Sequence, residues 1–547
     1  MKKQFLYTGF AVMLSIGAFA QQDPTAVTYG KFITPERGRS HLSILASDEY
    51  EGRETGKKGA WMAADYIKKQ FQSFGLVGPV KDGSDPYFQK IGYAAITLSK
   101  SVFSINNQAK ENLKDYYISP NSVGAKGYDI KAASVLFAGY GVNKEGFNEF
   151  AGQDVAGKVV MLIGNGDPTV KTAPAQGRRA PQGPGSLQTK IKYLLDNKAA
   201  GVLVINQLGV DNISPQMKDG LVNGNPYLKT QDRMKAMAAA ANLPVVTIGT
   251  AAANQILAAA NLNIDDFKKK IAEDQKPATT VINVPVAFSA ISVEKDVRAE
   301  NVLGYLEGSD PKLKNEVLVI TGHYDHIGLV RDPNATDKVN NGADDDGSGT
   351  TGVLLMAEAF TKAKKAGKGP KRSILFMTVV GEEKGLLGSE WYSEHPVFPV
   401  ENTIADLNTD MIGRVGEEYL GKPDSANYVY SVGSFKLSTE LGKIAEDMNS
   451  RYTKMKIDYK FDDPKDPQQI YYRSDHYNFA KLGIPVIFYY DGMLEQDYHR
   501  PGDEVSKINF DLLAKRAHLT YYTAWELANR ANRPVVDKNS DGSPKTK

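Results

Sequence analysis

The sequence contains no cysteine. That absence excludes a disulfide framework, a lipid-modified cysteine, a cysteine nucleophile and a thiolate metal site, so any metal must be held by histidine and carboxylate side chains. Long hydrophobic runs are missing too. Beyond the first residues no segment reaches the roughly 18 apolar residues of a membrane-spanning helix, so no integral membrane segment is expected. Net charge is only +2, from 66 basic and 64 acidic residues, and no overall field favours nucleic acid or an anionic membrane. No G-x-S-x-G occurs, which argues against serine-hydrolase chemistry, and no internal repeat is visible. The expected partner is a small molecule or a peptide.

What is present is a chain of 547 residues, long enough for roughly two to four domains. It opens MKKQFLYTGFAVMLSIGAFAQQDP: two lysines, an apolar stretch, then Ala18-Phe19-Ala20 before Gln21. This reads as a secretory signal peptide over residues 1–20 and predicts an exported protein, periplasmic or secreted. His41 to Leu76 predicts two helices joined by a Gly-rich turn, with Met62, Tyr66, Ile67, Phe71 and Phe74 as the core-facing stripe of the second. From residue 126 to 291 short apolar strands such as ASVLFAGYGV, GKVVMLIGNGDP and AAGVLVINQLG predict a separate strand-rich module, with TAPAQGRRAPQGPG as a loop inside it. Over 292–534 strands alternate with helices, which predicts an α/β/α sandwich around a mostly parallel, buried sheet. The end, 535–547, predicts a disordered tail.

Within the α/β part, polar residues sit where strands end. His323 and Asp325 follow VLVIT, Glu382 and Glu383 follow ILFMTVV, Asp410 follows ADLNT, and Tyr498 and His499 come after VIFYY. In open α/β sheets ligands bind outside the carboxyl ends of strands, so these groups are expected to converge. The run NNGADDDGSGTTG, residues 340 to 352, belongs with them. Three adjacent carboxylates repel unless a cation offsets them. A calcium loop would need a bidentate Glu where Leu355 stands. A ligand set of nitrogen and oxygen without sulfur suits zinc, with manganese or cobalt also possible. His41, His395 and His518 read as structural, and His476, within SDHYNF, could be a spare ligand.

Taken together, GHYDHIG, NNGADDDGSG, GEEKGLLGSEWY, NTDMIG, SDHYNFAKLGIP and YHRPGDE resemble the M28 metallopeptidases, zinc aminopeptidases and their carboxypeptidase relatives. LASDEYEGRETGKKG resembles that family's N-terminal segment, so residues 21–125 would belong to the peptidase domain and 292–534 would complete it. The resemblance implies two zinc ions: His323 and Asp410 would hold one, Glu383 and His499 the other, and Asp345 would bridge both. It further implies a cis peptide bond between Asp345 and Asp346, Glu382 as general acid/base, Tyr498 as a donor to the developing oxyanion, and Asp325 as the group orienting the His323 ring. His323 could instead pair with His326, but nothing in the family pattern favours that pairing. The middle module resembles a protease-associated (PA) domain, which would roof the site or serve as a spacer. The implied activity is removal of N-terminal residues from peptides through a water activated between the metals and a Glu base. Alternatives on the same scaffold are a carboxypeptidase or N-acyl amino-acid hydrolase, a glutaminyl-cyclase-like aminoacyltransferase with a single zinc, and a non-catalytic binding protein.

Overall fold

The apolar runs VLVIT, ILFMTVV, IADLNT and VIFYY become four adjacent strands: Val317–His323, Ser373–Val379, Thr403–Thr409 and Val486–Tyr490. Every residue in them is buried, as expected for strands covered on both faces. The structure is a computed structural model and describes residues 21–545 apart from 84, 125, 171–182, 207–209, 211, 231–242, 331 and 333. Residues 1–20 and most of the loop TAPAQGRRAPQGPG therefore lie outside the described residues. Among those described, no helix is long and apolar enough to cross a membrane.

The chain divides into two compact units: one takes the described residues to Lys90, Glu300–Leu329 and Val339 onward, the other Ile91–Ala299 with Val330–Lys338. The first unit holds an eight-stranded sheet in the order Phe88–Lys90, Glu300–Leu306, Ser373–Val379, Val317–His323, Thr403–Thr409, Val486–Tyr490, Tyr428–Val432, Lys456–Asp458. Its four central strands run parallel, with antiparallel neighbours on either side. Val317 and Val319 pack with Leu375, Met377, Phe479 and Ala480, so the helix His476–Lys481 covers that face. Leu318 and Ile320 point the opposite way, and the helix Gly349–Lys365 packs on the same strand. The expected three-layer α/β arrangement is what forms.

The helix Lys58–Phe74 differs in detail from its predicted stripe. Ala60, Ala63, Ala64, Ile67 and Phe71 are buried, whereas Met62, Tyr66 and Phe74 are half-buried. Small residues on that face let the helix lie close to the strand Glu300–Leu306, where a Cβ at Gly304 would come within 2.8 Å of Phe71.

The second unit has a six-stranded sheet whose centre, Val135–Phe137, Val159–Ile163, Gly201–Ile205 and Val245–Ile248, is parallel. An antiparallel sheet built on Tyr93–Ile105 and Val286–Asp296 accompanies it. That pairing moves the boundaries expected from sequence. Residues 91–125 join this unit instead of the peptidase part, and its end falls at Ala299 instead of 291. Local composition does not register a strand whose partner lies so far along the chain. The tail is also more ordered than its composition predicts. Thr439 N donates to the Asp537 carboxylate (2.8 Å), Lys538 N to Leu437 O (3.2 Å) and Lys538 Nζ to Phe435 O (2.7 Å).

Candidate metal centre

The parallel strands deliver their ligating groups to one end of the sheet. His323 is the last residue of its strand, Glu382 and Glu383 sit in a single turn after Ser373–Val379, and Asp410 follows Thr403–Thr409 directly. The aspartate run forms a wide turn, Ala343–Ser348, ahead of the helix Gly349–Lys365, and the Asp345–Asp346 peptide bond is cis.

Asp345 stands between two groups of donors. Its Oδ1 lies 3.3 Å from His323 Nε2, which is itself 3.5 Å from Asp410 Oδ1. Its Oδ2 lies 3.1 Å from His499 Nε2, which is 2.9 Å from Glu383 Oε2. His326 enters the second group, with Nδ1 2.8 Å from Glu383 Oε1 and 3.7 Å from Asp345 Oδ2. Two clusters result: His326, Asp345, Glu383 and His499, and beside them His323, Glu382 and Asp410. His323 Nε2, both ring nitrogens of His326, Asp345 Oδ2, Glu383 Oε1 and His499 Nε2 are buried without an aligned hydrogen-bond partner among the described residues. Buried polar atoms left this way cost roughly 1–3 kcal/mol each, and a cation within each cluster would satisfy all of them except the second ring nitrogen of His326. The donor set, imidazole and carboxylate without sulfur, fits zinc.

Residues 301–524 match the family described as Peptidase family M28. Over that segment, less than half of its length, the chain is similar to the M28 peptidases. Among curated relatives, a probable leucine aminopeptidase of Arthroderma otae is 30% identical over 226 residues, covering 40% of this chain and 56% of the relative. A probable zinc metalloprotease of Pyrenophora teres f. teres is 25% identical over 317 residues, covering 50% of this chain and 62% of the relative. The chain thus spans little more than half the length of the curated relatives it matches. Among solved structures, an aminopeptidase from Aneurinibacillus sp. strain AM-1 aligns over 95% of this chain and the whole of its own, at 18% identity and a TM-score of 0.46.

Around the donors, the loops are held by contacts to the backbone. The Asp346 carboxylate faces away from the clusters and accepts N–H groups from His323 (3.0 Å), Gly349 (2.8 Å) and Met411 (3.0 Å), tying three ligand-bearing segments together. Asp344 accepts from Gly413 N (2.7 Å), and burial, reinforced by Asp491 and Asp503, pushes its carboxyl well up. Asp503, from the YHRPGDE segment, accepts the N–H groups of Asp344 and Asp345 at 3.0 Å. Ser474 donates to Asp410 Oδ2 (2.6 Å), which leaves Oδ1 for His323.

Asp325 does not make the contact expected of it. His323 Nδ1 lies 3.1 Å from the Asp325 main-chain oxygen, whereas the Asp325 carboxylate is 3.9 Å away and takes Thr55 Oγ1 and Glu382 N instead. A carboxylate two residues on in an extended segment points to the same side as the ring but past it. His476 joins neither cluster and packs against Tyr471 and Phe488.

Sequence weighs His326 only as a partner of His323, and it gives no role to Arg53, in the segment LASDEYEGRETGKKG, whose side chain is fully buried. Its guanidinium donates to the main-chain oxygens of Tyr324 (2.8 Å), Leu45, Asn341 and Gly342 (each 2.7 Å). It thereby clamps the loop after His323 to the loop before Asp345. A Gly-Arg pair between two predicted helices was the available signal, but a buried arginine cannot be told from an exposed one by sequence.

The centre opens on a cleft lined by Asp345, Glu382 and Asp410, by apolar Met411, Ile470, Phe488 and Leu494, and by Arg473 and Tyr498. Burial first, then Glu383, Asp410 and Asp475, pushes the Glu382 carboxyl well up, while His323 opposes the shift. Arg473 Nη2 donates to Tyr498 Oη (3.1 Å), and the Tyr498 ring stacks on His499 at 3.8 Å.

Proposed function

We propose that the protein is an exported dizinc exopeptidase, most simply an aminopeptidase, acting on peptides. The observation that carries this is Asp345, with one carboxylate oxygen facing His323 and Asp410 and the other facing Glu383 and His499. His323, Asp410 and Asp345 would hold one zinc, and Glu383, His499 and Asp345 the other. Such a pair, when bound, supplies Lewis acidity that lowers the pKa of water and polarises a carbonyl. Glu382 lines the cleft beside His323 and Asp410, its carboxylate 3.8 Å from His323 Nε2, and it would take a proton from water and give it to the leaving amine. Arg473 occupies the Tyr498 hydroxyl oxygen as an acceptor, which frees the O–H to donate to an oxyanion. Met411, Ile470, Phe488 and Leu494 would receive an apolar N-terminal side chain. The matched relatives' names, leucine aminopeptidase and zinc metalloprotease, support the same choice.

Export rests on residues 1–20, and the mature chain should begin at or within a few residues of Gln21. Residues 126–291, which lie within the unit Ile91–Ala299, are read as a PA domain from their resemblance in segments such as KAAGVLVINQ.

One observation favours a second reading. Arg473 lines the cleft, and among the described residues it makes no ion pair. A free carboxylate on the substrate would suit it, as in a carboxypeptidase or N-acyl amino-acid hydrolase. Purified enzyme on matched aminoacyl and N-acetyl-aminoacyl amides, and on the corresponding free acids, separates the two. Cleavage only of blocked substrates would reject the aminopeptidase, and activity undiminished in metal-free protein would reject both.

A further inference from the structure

We propose that His326 is a third imidazole donor of this centre, binding through Nδ1 the cation shared by His499, Glu383 and Asp345. The proposal rests on the dizinc reading and goes beyond the five residues assigned to it.

Position comes first. One donor atom each from His326, Asp345, Glu383 and His499 lie within 4.8 Å of one another, close enough to surround a single ion. The His326 ring is fully buried, and its location is set by the backbone: its N–H donates to Arg53 O (3.1 Å). At Gly342, where φ is +57°, a Cβ would lie 2.4 Å from Asp345 O and 2.5 Å from His326 Cγ and Cδ2, so the same glycine serves the turn and leaves room for the ring.

Alignment supports ligation only together with the donor cluster, since among the described residues the buried ring nitrogens of His476 are unpartnered too yet join no cluster. His326 Nδ1 and Glu383 Oε1 are 2.8 Å apart, yet both remain without an aligned hydrogen-bond partner. His499 Nε2, at 2.9 Å from Glu383 and 3.1 Å from Asp345, carries the same mark, and so does His323 Nε2. By contrast, imidazole nitrogens with a hydrogen-bonding task meet their partners in line: His41 Nδ1 with Tyr66 Oη (2.7 Å) and His518 Nε2 with Gly30 O (2.9 Å). A nitrogen near carboxylate oxygens but not aligned with them as a donor is free to offer its lone pair to a cation held within the same cluster. Were His326 an outer partner merely orienting Glu383, its N–H would lie along the line to Oε1.

The consequence is an unequal pair of metal positions. One has two imidazoles with Glu383 and Asp345, and the other has His323 with Asp410 and Asp345. Divalent cobalt or zinc should fill the nitrogen-rich position first.

The test uses the full chain, stripped of metal and titrated with cobalt(II), while exchangeable imidazole N–H protons shifted by the ion are counted by proton NMR in H2O against D2O. The first equivalent should bring two such resonances and the second one more. H326Q should remove one of the first two and weaken the first equivalent by more than about 100-fold, beyond the 10–100-fold typical of an outer partner. The wild-type count decides the matter even if that variant fails to fold. Two resonances at full loading would overturn the role of His326 while leaving the dizinc centre standing. Failure to bind cobalt at all would instead remove the dizinc reading itself.

Discussion

Adjacent residues of one chemical type do different work here. Glu383 presents each oxygen to an imidazole, 2.8 Å from His326 and 2.9 Å from His499, whereas the nearest imidazole to Glu382 is His323 at 3.8 Å. Glu382→Gln should therefore keep both metals and lose about three orders of magnitude in kcat, and Glu383→Gln should weaken a metal position. Metal analysis beside single-turnover rates checks this, and equal metal loss in the two variants would refute it. The aspartates divide in the same way. Asp345→Asn should empty both positions. Asp346→Asn loses an acceptor for at least one of three buried N–H groups, at about 1–3 kcal/mol, and should lower metal content by moving the loop. Asp344→Asn should do least, because its carboxyl contacts Gly413 N and Asp491 and no metal donor. Arg53 has four carbonyl partners that a lysine amine cannot span, so Arg53→Lys should lower both melting temperature and zinc affinity despite retaining the charge. Zinc affinity equal to wild type in a folded Arg53→Lys protein would contradict the clamp.

Among the elements, the turn into the helix Gly349–Lys365 has the least tolerance. Gly349 has φ −70°, open to any residue, but a Cβ there would lie 2.1 Å from Thr409 O and 2.3 Å from Asp346 Oδ1. The helix start has to press against the end of the strand Thr403–Thr409 because Asp346 must reach Met411 N and Gly349 N together. Gly349→Ala should destabilise the protein by about 1–3 kcal/mol or more and should lower metal content, since its steric cost falls on the group that holds the ligand loop. Denaturant unfolding at fixed zinc, with metal analysis of the folded fraction, measures both. A variant of wild-type stability would mean that the turn has slack.

For the molecule as a whole, all the proposed ligands lie in one of its two units. A chelator should therefore lower one calorimetric transition and leave the other in place, and free metal at a thousand times its Kd is worth about 4 kcal/mol to the unit that binds it. A uniform shift of both transitions would mean that the units do not unfold separately. Acid should act on the peptidase unit through His41. Burial lowers its pKa from 6.5 to about 4, against Glu358 and with Arg37. Between those values the unfolded chain binds the proton and the folded one does not, so this stabilising contribution is present above pH 6.5 and lost as pH falls toward 4. His41→Gln should flatten that part of the stability profile, and an unchanged slope would show that the ring is not buried neutral.

The α/β class and the placing of polar residues at strand ends were legible in sequence for a physical reason. A strand buried on both faces must be a continuous apolar run, and the loop after it must carry the polar chemistry, so VLVIT followed by His323 and Asp325 reports both at once. Tertiary structure decided the rest. Strand Tyr93–Ile105 found its partner at Val286–Asp296, which moved a domain boundary that composition had put at residue 126. Arg53 reached Asn341 across 288 residues, and His326 turned toward Glu383 and not toward solvent. Burial and direction depend on which distant segments meet, and a chain read one neighbourhood at a time holds no record of that meeting.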